Sequence, residues 1–129
     1  MYGLKERDIN YLIEAFKIFP EIEKVIIFGS RALGNYKQGS DIDLAIVGKN
    51  ISNTILLRLI DILNNEKPIP YFFDIISYSD ITNKELKKHI DEFGKEIFNK
   101  YEKTKSWVIL NKLNKSFKIK NLFNLFFCI

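Results

Sequence analysis

The sequence predicts a small α/β (α+β) domain, a mixed β-sheet flanked by helices. Two observations predict it. Stretches with apolar residues at helical spacing alternate with short runs rich in β-branched and aromatic residues. Those runs are bounded by clusters of Gly, Pro, Ser and Asn, and the order α-β-(short α)-β-α-β-α shows no internal repeat.

Residues 6–19 place Ile9, Leu12, Ile13 and Phe16 on one helical stripe, and Pro20 stops it. Residues 24–28, KVIIF, read as a buried strand ended by Gly29-Ser30. Ser30 to Asn35 allows one or two helical turns, and Lys37 to Ser40 a polar loop. Residues 41–47, DIDLAIV, form the second strand. Ser52 caps a helix through about Asn64, with Ile55, Leu56, Leu59, Ile60 and Leu63 inward. After Pro68, residues 69–77 read as a third strand. Thr82 and Glu85 make a capping box for a helix to about Glu102, aligning Leu86, Ile90, Phe93 and Ile97. His89, the only histidine, is expected on that helix's exposed side.

Composition bounds the chemistry. With 129 residues and 47% hydrophobic content, one core is expected and wholesale disorder is excluded. A single cysteine, Cys128, excludes an intramolecular disulfide framework and a cysteine-built zinc site. The charged N-terminus does not read as a signal peptide, and no stretch approaches the ~20 apolar residues of a membrane span. A cytoplasmic protein with no membrane partner is expected. The net charge of +4 is misleading as a sign of nucleic-acid binding. Residues 1–103 carry 15 Lys and Arg against 16 acids, net −1, and the five lysines of residues 104–129 meet no acid. The expected organisation is a catalytic domain over 1–103 and a basic, apolar tail over 104–129, suited to packing or docking.

The informative residues are Gly29-Ser30 and Asp41-Ile42-Asp43. Carboxylates at i and i+2 on a strand project to one face, where their repulsion calls for a hard divalent cation such as Mg²⁺. Gly29, between a strand and a short helix, lets backbone approach a phosphate, with Ser30 and helix-start N–H groups as donors. Asp74 lies in an apolar strand, where an unpaired carboxylate is costly unless it faces the same cations. Alone, an Asp-x-Asp pair is a weak signal; three acids beside a phosphate loop is the layout of two-metal phosphoryl chemistry.

Gly29-Ser30, ten residues, then Asp41-Ile42-Asp43 resembles the signature of the DNA polymerase β-type nucleotidyltransferases. FGSRALGNYKQGSDIDLAIV is similar in particular to the minimal nucleotidyltransferase (MNT) family. The resemblance covers roughly residues 6–100. It implies a nucleotidyltransferase fold, with Gly29 and Ser30 holding phosphates of ATP and Asp41 and Asp43 binding two Mg²⁺ ions. Asp74 would complete the metal site and favour deprotonation of the attacking hydroxyl. Where the family often has a basic residue, this chain has Leu33, which shifts the expected triphosphate contact to Arg31 or Lys37. The resemblance also implies an antitoxin that moves AMP from ATP onto a tyrosine of a HEPN-family ribonuclease toxin. The alternatives are transfer to a small molecule such as an aminoglycoside, non-catalytic occlusion of the partner, or nucleic-acid tailing. The first lacks room for an acceptor domain, and occlusion would not need three acids. Tailing lacks an evident nucleic-acid-binding domain, so nucleic acid is not the expected substrate. Homo- or hetero-oligomers are both compatible with the sequence.

Overall fold

A computed structural model of the chain describes residues 2–101. The elements are α1 (Glu6–Lys17), β1 (Ile22–Phe28), α2 (Ser30–Leu33), β2 (Ile42–Gly48), α3 (Asn53–Asp61), β3 (Phe73–Ser77), α4 (Lys84–Phe93) and β4 (Lys95–Asn99). The four strands make one sheet in the order β3-β2-β1-β4. β1 runs antiparallel to both β2 and β4, and β2 is parallel to β3, so the sheet is mixed as expected. The readings that fall on residues 104–129 lie outside the described residues.

Strand periodicity sends alternate side chains to two faces. On one face, Val25, Ile27, Ile42, Leu44, Ile46, Phe73 and Ile75 meet Leu12 and Phe16 of α1 and Leu59 of α3 in the main core. On the other, Phe28 and Ala45 meet Ile90 of α4, with Ile26, Ile76 and Leu86 packed around them. The helical stripes anticipated on α1 and α3 therefore point where the sequence aims them. Each fully buried Leu, Ile or Phe contributes about 1.5–3 kcal/mol relative to exposure.

Caps and breakers set the boundaries. Ser52 Oγ accepts the Ile55 N–H at 3.3 Å, as its sequence position suggests. α3 continues as a single π turn, Ile62–Glu66. The helix expected from Thr82 instead begins one residue later than a Thr82 cap requires, because Asn83 Oδ1 accepts from Glu85 N–H (2.9 Å) and Leu86 N–H (3.1 Å). The third strand is shorter than 69–77, since Pro68 and Pro70 deprive the lead-in of donors for a ladder.

The largest departure is β4. The stripe Leu86-Ile90-Phe93-Ile97 reads as one helix to about Glu102, but α4 stops at Phe93 and residues 95–99 form an edge strand on β1. Gly94 interrupts the helix, and its N–H closes on the Ile90 carbonyl at 2.8 Å. Ile97 and Phe98, adjacent in sequence, then both enter the main core beside a β1 edge that would otherwise lack a ladder partner. Gly94 also fits by size, since a Cβ there would run into the Ile90 carbonyl and the Ile26 side chain. Gly94→Ala is expected to lower stability by about 1–3 kcal/mol, the usual range for overpacking. Urea unfolding followed by circular dichroism measures it, and an unchanged midpoint would show that the turn relaxes without cost.

Candidate functional site

Register assembles the site. Phe28, the last residue of β1, is opposite Asp43 on β2, and Asp43 is opposite Asp74 on β3. Phe28, Asp43 and Asp74 thus form a row across three strands, on the face that α4 covers. Asp41, two residues before Asp43 and just ahead of β2, shares its side by strand alternation. The three acids foreseen from the sequence are brought together at one end of the sheet.

Their electrostatics agree with that placement. The Asp43 carboxyl is held above the usual carboxylate range, first by burial and then by the negative charges of Asp74 and Asp41; Arg31 and His89 oppose the shift. Asp41 and Asp74 are exposed and Asp43 half-buried. Asp74 does not bear the burial cost expected of a carboxylate in an apolar strand. Phe73 and Ile75 turn into the core, and the same alternation turns Asp74 to solvent. Convergence with Asp43, rather than desolvation, sets it apart. Among the described residues, no three Asp, Glu, His or Cys side chains form a ready-made metal cluster. The acids nevertheless fit hard cations by their chemistry: they are oxygen donors, mutually repelling, and two of them open to solvent.

Gly29 joins the acids to the turn between β1 and α2. Its φ of 73° and ψ of −153° suit glycine alone, and a Cβ would strike the Asp43 carboxylate. α2 starts immediately, with Gly29 C=O accepting from Leu33 N–H at 3.2 Å and Gly34 closing it in a left-handed conformation. Ser30, the first residue of α2, is half-buried beside this turn.

Arg31 lies in a setting the sequence did not reveal. It is only 2% exposed. Its Nε and Nη2 donate to the Ser40 carbonyl at 3.2 and 2.7 Å, and Nη1 donates to the Tyr2 carbonyl at 3.0 Å. Its guanidinium carbon lies 5.0 Å from the Tyr36 ring centre and 4.5 Å from that of Tyr71. Arg31 thereby ties α2 to the residue preceding Asp41. Leu33, by contrast, faces solvent at 48% exposure.

His89 needs correction. Expected on the exposed side of α4, it is half-buried, and its Nε2 accepts the Gly29 N–H at 3.1 Å. Its ring stands edge-on to Phe28 at 6.3 Å and tilted against Phe93 at 5.6 Å. The signal was present: His89 is three residues after Leu86 and four before Phe93, on the border of the apolar stripe.

A mixed sheet with a Gly-Ser turn after its first strand and acids on the two strands to one side of it defines the nucleotidyltransferase fold. The polymerase beta nucleotidyltransferase family matches residues 10–103, and the chain belongs to that family. No curated protein sequence matches it. Solved structures share the fold at low identity. A chain of a toxin–antitoxin complex with AMP-PNP is 17% identical with a TM-score of 0.60, over 90% of this chain and 95% of that one. A chain of the tri-AMPylated Shewanella oneidensis HEPN toxin in complex with MNT antitoxin is 16% identical with a TM-score of 0.57, over 96% and 97%. A chain of the MntA–HepT toxin–antitoxin is 15% identical with a TM-score of 0.57, over 93% and 97%. Among the described residues, no helix is long and apolar enough to cross a membrane.

Two variants test this geometry. Because Asp43 binds its proton more tightly in the folded chain than in the unfolded one, its contribution to stability declines as pH rises through and above the ordinary carboxylate range. Asp43→Asn should therefore melt above the wild type at pH 7 without divalent cations, and the difference should vanish below about pH 3. Scanning calorimetry at the two pH values decides; a lower Tm for the variant at pH 7 would contradict convergence of the acids. Arg31→Lys cannot reach both carbonyls or stack between two rings, and should cost about 1–3 kcal/mol in chemical denaturation.

Proposed function

We propose that the chain is a Mg²⁺-dependent adenylyltransferase that moves AMP from ATP onto a tyrosine of a HEPN-type toxin, acting as its antitoxin. The observation that carries this reading is the row Phe28–Asp43–Asp74 ending at the Gly29-Ser30 turn. The acids and the phosphate loop occupy one corner, as phosphoryl transfer requires. The toxin–antitoxin context of the structures that share the fold supports the choice of partner.

In this reading Gly29 and Ser30 receive the β- and γ-phosphates, and Asp41, Asp43 and Asp74 hold the metal ions. Bound Mg²⁺ would supply neutralisation of phosphate charge and a template for in-line displacement. The tyrosine oxygen attacks the α-phosphorus, the bond from that phosphorus to the bridging oxygen of pyrophosphate breaks, and AMP remains on the tyrosine. Asp74, at the exposed end of the row, favours loss of the hydroxyl proton. Arg31 acts by fixing Ser40, and with it Asp41, relative to the Gly29 turn. A protein acceptor that brings its own surface suits so small a catalytic core.

Labelled ATP, Mg²⁺ and the protein encoded by the neighbouring gene provide the test. Mass spectrometry should find AMP on a tyrosine of that neighbour. Asp43→Asn should reduce the rate at least about a hundredfold, as should chelation of divalent ions. Transfer that survives Asp41→Asn combined with Asp43→Asn would refute the metal assignment. Neutralisation of the toxin by that double variant without transfer would favour occlusion.

A further inference from the structure

We propose that His89 is a phosphate-binding residue of this site, holding the Gly29 N–H until a phosphate oxygen takes it and then donating to that oxygen. The inference rests on the nucleotide reading above and concerns one atom within it.

His89 reaches Gly29 from the far side of the fold, 60 residues along the chain. The conformation of Gly29 aims its N–H at α4 rather than into a strand ladder. Because that N–H donates to Nε2, the imidazole is an acceptor there and carries its hydrogen on Nδ1. The contact is half-buried and flanked by the rings of Phe28 and Phe93, which confine the imidazole to the rim of the turn.

One N–H cannot serve two strong acceptors. A phosphate oxygen bound at Gly29 would occupy the place that Nε2 holds at 3.1 Å, so the ring must give way by about the length of a hydrogen bond. Left as an acceptor, Nε2 would then present a lone pair to an anionic oxygen. Exchange of tautomer, with the hydrogen leaving Nδ1 and Nε2 gaining one through solvent, turns the same atom into a donor. Net protonation of the ring is unchanged. His89 would thus keep the phosphate loop ordered when the site is empty and contribute a bond when it is filled. With the outer phosphates placed at Gly29, the effect should depend on them and be absent for AMP.

The experiment uses the full chain with Mg²⁺, comparing ATP with AMP. Calorimetric titration of His89→Leu, which fills the space between the two phenylalanines without a polar atom, should show ATP affinity reduced about tenfold and AMP affinity unchanged. His89→Gln, whose amide can accept or donate, should recover most of the loss. In the wild type, the His89 Nε2 nitrogen resonance should move from the unprotonated to the protonated range on addition of ATP and stay in place with AMP. If ATP binds while that resonance stays in place, or if His89→Leu binds ATP like the wild type, the assignment of His89 is wrong and the nucleotide reading survives. If the wild type binds no ATP, both fall together.

Discussion

Asp43 is pinned by pairing on both sides of its strand, and that pinning holds the corner together. On one side β1 sets it against Phe28 and the Gly29 turn, and on the other β3 sets it against Asp74. A slip of one residue would drive Asp43 into the apolar layer of Leu44 and Ile46 and expose those side chains instead. The register is therefore held by the whole main core, while burial, and then the repulsion of the charges it aligns, raise the Asp43 pKa. Packing against α1 and α3 offsets the strain that this corner stores.

Gly29 is subject to the same constraint from the other direction. The Asp43 carboxylate fills the volume that a Cβ would need, so the Gly29-Ser30 turn and the central acid share a van der Waals boundary. Arg31 strengthens the arrangement from behind. Its donors go to the carbonyls of Ser40 and Tyr2, so a cation next to the Gly29-Ser30 turn serves the architecture of the loop leading to Asp41. Planarity and the fork of N–H groups make arginine suitable for two carbonyls and two aromatic faces at once.

Much of this was legible in the sequence because it is local. The alternation of DIDLAIV fixes which side Asp41 and Asp43 share, and Gly29-Ser30 marks the turn by composition alone. Residues whose partners are distant in the chain were harder to read. β4 was hidden because Ile97 continues a helical stripe, and only the open edge of β1 makes a strand the better solution. Arg31, expected at the triphosphate, gave no local sign of its burial, since both carbonyls it binds belong to other segments. The place of His89 on the border of the apolar stripe hints at partial burial, but its acceptor role needs the Gly29 N–H, a donor that no pattern on α4 announces. Asp74 groups with the other acids as expected, but not for the energetic reason expected, since its strand is apolar on one face only.

The parallel pairing of β2 with β3 bears on how freely this site can be assembled. Phe28 and Asp43 are 15 positions apart, whereas Asp43 and Asp74 are separated by 31, with α3 carried in the crossover. Doubling a loop adds only about 0.6 kcal/mol of closure entropy. Recruiting Asp74 across the long connection is thus nearly as cheap as bringing Phe28 and the Gly29 turn to Asp43 through the short one. Length between the strands is a loose variable, and side-chain parity along them is a strict one. A crossover that grew by a turn of helix would leave Asp74 beside Asp43, while a single residue inserted within Ile42–Leu44 would dismantle the corner.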